Sequence, residues 1–162
     1  MKTVVKVSAV LSWFNLIVWG LAVAILVLSA LSFHSMAIVV FAFFLSAILL
    51  HNYAALQLHK SIRNPATKLS NQTPAGIRFV GFIALFLGIC YMANGVALLQ
   101  DPRGSLKLMQ SQAPEFFKTV PIASIRTGGI MALVLGLSVA VNVFLNFRLL
   151  RWYYLVKQSD IS

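Results

Sequence analysis

Acidic residues are nearly missing from this chain: of 162 residues only Asp101, Glu115 and Asp160 are acidic, against thirteen Lys or Arg. None of the three falls in a long apolar run. A proton-coupled exchanger built on a membrane carboxylate, or a cation site ringed by acids, needs such groups at depth, so both classes are set aside. A single cysteine, Cys90, excludes an internal disulfide and any multi-cysteine metal site, and it is expected to be a small packing residue. The histidines are limited to His34, His51 and His59. They cannot supply two facing haem ligands at one depth, because His34 lies apart and the other two belong to one helix end. There is no glycine-rich phosphate loop, no paired-cysteine redox motif, and no serine nucleophile beside an acid and a base. No catalytic, cofactor-binding or metal-ligating residue is therefore assigned, and a lipid-modifying enzyme would need a convergent site that these residues do not assemble.

Charge as a whole is also sparse. Only 10% of residues are charged and 60% are hydrophobic, with a mean hydropathy of +0.89, whereas a soluble domain carries about a quarter charged residues. The apolar residues form four blocks, 8–31, 37–58, 77–99 and 122–147, the last helix being drawn to 148. Each reaches the ~20 residues that a helix needs to cross hydrocarbon. Proline is absent from their interiors: Pro65, Pro74, Pro102, Pro114 and Pro121 all fall between or at the edges of blocks, where a missing amide donor does no harm. Membrane strands would need alternating ~10-residue segments, which these continuous runs are not. The expected fold is all-α: a polytopic integral membrane protein, one domain over 1–162, folded as a four-transmembrane-helix bundle.

The net charge of +10 would suggest nucleic acid in a soluble protein. Its distribution argues otherwise. Lys2 and Lys6 precede the first block, Lys60, Arg63, Lys68 and Arg78 lie around the linker 59–76, and Arg148, Arg151 and Lys157 follow the fourth block. The connection at 32–36 has no Lys or Arg, while 100–121 holds Arg103, Lys107 and Lys118. This bias places both termini in the cytoplasm and the chain in the cytoplasmic or inner membrane, with anionic lipids as partners on that face and no role for nucleic acid. The first block is too long for a secretory signal, so a retained span is expected. Trp152, Tyr153 and Tyr154, next to Arg148 and Arg151, form an interfacial anchor, and the extracytoplasmic segment 100–121 is expected to rest on the outer surface as a short helix.

Small residues mark candidate packing seams. Gly81, Gly88 and Gly95 recur every seven residues, and Gly128, Ala132, Gly136 and Ala140 every four, each series on one helix face where backbones can approach closely. Whether these serve internal packing or another subunit is open, internal packing being the default. Asn52-Tyr53 with Leu56 echoes Asn146-Phe147 with Leu150, a short hint of two related hairpins.

Polar residues inside a membrane are costly, so their depths are worth comparing. Asn15, His51 and Asn142 each lie six or seven residues inside their block, about 10 Å deep at the helical rise. Ser8, Ser12 and Asn15 share a face, as do Ser138, Asn142 and Asn146. This defines a candidate polar pocket of Asn15, His51, Asn142 and Asn146. Arg126, near the outer start of the fourth helix, is a candidate anion contact, although its long side chain can also snorkel to water. Two readings follow. A bundle that acts by association, with itself or as an accessory subunit of a larger membrane complex, requires a tight inner core and an apolar, small-residue face left unused. Binding or transport of a small neutral solute or lipid requires a water-accessible cavity among the four polar residues.

Overall fold

The computed structural model describes residues 2–64, 66, 67 and 69–159; the side chains of Lys2 and of residues 157–159 are also outside the description. Pro65, Lys68, Asp160 and the side chains of Lys2 and Lys157, which helped to set the block edges and the charge bias, therefore lie outside the described residues. Every regular element among those described is helical: α1 (Lys2–Phe33), α2 (Met36–Arg63), α3 (Gln72–Ala75), a π-helical turn (Gly76–Val80), α4 (Gly81–Gln100), α5 (Pro102–Gln112), α6 (Pro114–Phe117) and α7 (Ile122–Ser159). Four helical stretches are long and apolar enough to cross a membrane: Thr3–Phe33, Met36–Arg63, Gln72–Gln100 and Ile122–Val156.

Each stretch extends past its apolar block, because hydrophobicity marks the part of a helix suited to hydrocarbon while the helix itself stops only where the backbone is made to stop. In α1 that stop is a Schellman turn: His34 adopts a left-handed conformation, φ 50°, and the Ser35 amide donates to the Ala30 carbonyl at 3.3 Å. No glycine was present to signal it. In α2 the stop is Asn64, whose backbone is extended at φ −125° and ψ 95°, as the residue before a proline favours. Its amide still closes the helix by donating to the Lys60 carbonyl at 2.9 Å, and Lys60 and Arg63 in the last turn complement the helix dipole. The chain becomes helical again at Gln72, with Pro74 inside the first turn, where its missing amide is harmless. The linker expected over 59–76 is correspondingly shorter.

Contacts divide the chain into two compact units, Met1–Phe86 with Val139–Ser162, and Leu87–Ser138. The first unit has a hydrophobic core of Val5, Ala54, Leu58, Ile77, Leu149 and Leu150, which fastens the start of α1, the end of α2, the π turn and the later part of α7. Polarity in this unit is inverted relative to a water-soluble fold. Ser8, Ser12, Asn15 and Asn146 have no exposed surface, while Leu21 and Phe82 are 64% exposed and Phe43 is 73% exposed. That is the arrangement expected when the surrounding solvent is hydrocarbon.

The second unit pairs parts of α4 and α7 through glycine. A methyl group at Gly95 would come within 2.7 Å of the Gly129 carbonyl oxygen, and one at Gly136 within 2.5 Å of the Gly88 carbonyl oxygen. The segment 100–121 is mostly helical: α5 begins with Pro102 at its first position and Asp101 as cap, its carboxylate accepting from the Gly104 amide at 2.9 Å. The Gln110 side-chain amide donates to the Phe117 carbonyl at 3.1 Å, tying α5 to α6. Leu108 and Phe116 remain exposed.

Candidate functional site

Apart from Thr73 on α3, which donates to Gln57, the buried polar groups of the first unit come from α1, α2 and α7, each by helical spacing. Ser8, Ser12 and Asn15 follow one another on α1 at four- and three-residue steps, Asn142 and Asn146 are one turn apart on α7, and Asn52 and His59 are two turns apart on α2. The side chains form one directional chain of hydrogen bonds. Ser8 Oγ donates to Asn146 Oδ1 at 2.9 Å, and His59 Nε2, at 3.0 Å, meets the same oxygen. Since Oδ1 is only an acceptor, the ring proton sits on Nε2, which also lies 3.1 Å from Ser8 Oγ. Asn146 Nδ2 donates to the backbone carbonyl and to Oδ1 of Asn142, at 2.9 and 3.2 Å. Ser12 Oγ donates to that Oδ1 at 3.2 Å. Asn142 Nδ2 donates to Asn52 Oδ1 at 2.6 Å, and Asn52 Nδ2 ends the chain on the Ile48 carbonyl, also at 2.6 Å.

Of the four candidate pocket residues, Asn142 and Asn146 are the centre of this network. Asn15 is fully buried one turn beyond Ser12 on the same α1 face. His51 is elsewhere. It is one residue, or about 100° of helix rotation, from Asn52, and that rotation turns it toward the π turn and Gly81. Its Nδ1 would be 3.0 Å from a methyl group at Gly81, its ring meets Phe147 edge-on at 6.4 Å, and the Ile77 backbone lies beside it. Neither ring nitrogen has a hydrogen bond of ordinary geometry among the described residues. The network instead includes Asn52 and His59, which depth alone did not select. Their seven-residue spacing, placing both on one α2 face, was the signal that could have found them.

The glycine series are divided between the units. Gly81 packs against Phe147 and His51, while Gly95 and Gly136 make close backbone approaches, Gly136 meeting the carbonyl of Gly88. On α7 the close contact one helical turn below Leu133 is made by Gly129, whose added methyl would lie 3.0 Å from the Gly95 carbonyl oxygen; Gly128 has nothing within 4 Å. A strict four-residue repeat drifts about 40° per step around a 3.6-residue helix, so the series Ala140, Gly136, Ala132 and Gly128 leaves the contact face at its amino-terminal end. Ala140 is buried and Ala132 partly so.

Arg126 is exposed and lines a recess of about 660 Å³ together with Asp101 and Arg103. A larger groove of about 850 Å³ lies in the first unit between α1, the end of α2 and residues that follow it. His59 lines it, as do Trp13, Tyr53, Lys60, Ser61 and Arg63. Asn15, His51, Asn142 and Asn146 line neither of these spaces. Chemically the network offers amides, hydroxyls and one imidazole, with no carboxylate, and among the described residues no group of three His, Cys, Asp or Glu is placed to hold a metal ion. No protein-family model, no curated protein and no solved structure matches this chain.

Proposed function

We propose that this chain crosses the cytoplasmic or inner membrane four times, with both termini in the cytoplasm, and acts without catalysis by association, either with itself or as an accessory subunit of a larger membrane complex. The observation that carries this reading is the closed hydrogen-bond chain of Ser8, Ser12, Asn52, His59, Asn142 and Asn146. Each of its asparagine side-chain amides is occupied, that of Asn142 by Asn52 of α2 and those of Asn52 and Asn146 within their own helices, while Ser8, Ser12 and His59 tie α1 and α2 to the α7 asparagines. The exposed faces are instead apolar, with Leu21, Phe43 and Phe82 among their residues. Such faces offer lipid and other helices the same packing surface, and association in a bilayer is driven by packing of this kind.

Native mass spectrometry of the protein released from its own membrane in mild detergent tests this. A defined homo-oligomer or a stoichiometric protein partner is the expected result. A monomer carrying a small neutral solute, lost when Asn142 and Asn146 are replaced by Leu, would overturn it in favour of binding or transport through the polar cluster.

A further inference from the structure

The groove lined by His59 differs from the other basic surface of the first unit. Lys60, Arg63, the buried Ser61 and the exposed rings of Trp13 and Tyr53 all line it. The second surface, a recess of about 710 Å³, has Arg78 and Arg151 but is otherwise walled by Phe82, Phe147, Leu150 and Leu155, with Tyr154 as its one neutral polar side chain. Among the described residues the two therefore carry equal formal charge in different surroundings.

Two further facts distinguish the first groove. His59 is 3% exposed, its Nε2 is held by Asn146, and its Nδ1 has no hydrogen-bond partner among the described residues. With the proton on Nε2, that nitrogen is an acceptor without a partner, itself covered beneath the surface that His59 gives the groove. Lys60 and Arg63 also lack any acid close in sequence, since Asp101, Glu115 and Asp160 are all far along the chain. A cavity with two cations among its described residues, neutral hydroxyl and amide groups from Ser61 and Asn64, and an aromatic edge matches a polar anion joined to an apolar body. Trp and Tyr rings are favoured where headgroups meet hydrocarbon, and cations there attract anionic lipid.

We infer that this groove holds the headgroup of one anionic phospholipid, its phosphate between Lys60 and Arg63. This rests on the membrane-crossing part of the proposed function but not on association. On that orientation the groove opens at the cytoplasmic leaflet, where the end of α2 reaches the headgroup layer.

The test is native mass spectrometry of the full chain released from nanodiscs containing equal amounts of phosphatidylglycerol and phosphatidylcholine, with helicity checked by circular dichroism. The wild type is expected to retain one phosphatidylglycerol. The double variant Lys60→Gln with Arg63→Gln should lower that retention by about tenfold or more, as the loss of two surface cations implies. Arg78→Gln with Arg151→Gln should leave it within about twofold, and Lys60→Arg should also preserve it. Equal loss in the two double variants would mean that net charge alone attracts lipid and would overturn the site. So would equal retention of phosphatidylcholine, no retained lipid, or displacement by millimolar inorganic phosphate, which would mark a site for free phosphate. If the double variant unfolds, Arg63→Lys, which keeps the charge and removes the planar fork, takes its place and is expected to weaken retention by about threefold; no change would overturn the site. Protein stoichiometry is read from the same spectra, so failure of the lipid site is distinguishable from failure of the association reading.

Discussion

The two units hold their helices together by different means. In the first, three helices exchange directional side-chain hydrogen bonds through Asn142 and Asn146; in the second, α4 and α7 meet through backbone at Gly95, Gly129 and Gly136. On the proposed membrane placement both answer the same physical problem, since burying apolar surface gives little net gain when the surroundings are themselves apolar. A hydrogen bond stabilises only if its partner is present and correctly angled. Glycine contact stabilises through many weak dispersion contacts, and it fails abruptly when any atom is added. The first unit should therefore weaken in steps as polar groups are removed, and the second should tolerate almost no growth of its contact residues.

The largest effect should come from Gly136→Leu. Its Cβ alone would be 2.5 Å from the Gly88 carbonyl oxygen and 2.7 Å from Met92 Cγ, so the helices must separate. Overpacking of this kind destabilises by about 3 kcal/mol or more, read as a loss of the folded fraction in steric-trapping or detergent unfolding. Gly95→Ala should lie slightly below it, at about 1–3 kcal/mol, because the Gly129 carbonyl and the Leu133 amide are fixed backbone groups. If both glycine variants unfold no more readily than the wild type, the contrast between the units collapses.

Asn146→Leu comes next. It removes the acceptor shared by Ser8 and His59 and the donor to Asn142, leaving buried groups without partners. About 2 kcal/mol of destabilisation is expected from interhelical bonds of this class. Ser12→Ala removes one 3.2 Å bond to Asn142 Oδ1 and should cost about 0.6 kcal/mol. An Asn146→Leu variant as stable as the wild type would show that the network contributes specificity without stability. The smallest effect should be Gly128→Ala, which has nothing within 4 Å and should stay within about 0.5 kcal/mol of the wild type. Comparing it with Gly129→Ala, where the Gly95 carbonyl oxygen and the Leu99 side chain lie 3.0 Å from the added methyl, sharpens the assignment of the contact face.

Much of the helical layout was legible in the sequence. Continuous hydrophobicity located the four long helices, and the prolines marked the second and third breaks between them, though not the first, at His34 and Ser35. The helix ends were less legible: α1 is stopped by a left-handed His34, a conformation that a glycine would have announced, and α2 runs on through the basic residues to the position before Pro65. The candidate site was legible in depth but not in rotation. Asn142 was selected because it lies well inside its block, and Asn146, near the end of that block, because it shares a helix face with Asn142. Depth gave His51 the same weight as its neighbours, whereas one residue of helix rotation sends Asn52 into the network and His51 against Gly81 and Phe147.

What the sequence by itself determined is where the four long apolar helices lie, since that depends on composition along a line of continuous apolar runs. What only the tertiary structure decided is which polar groups meet. That depends on the azimuth of each helix and the spacing between neighbours, set by packing around Leu58, Ile77 and Leu149 and by backbone approach at glycine. A displacement of one residue changes depth by about 1.5 Å but rotates a side chain by about 100°, so depth survives a linear reading and partnership does not.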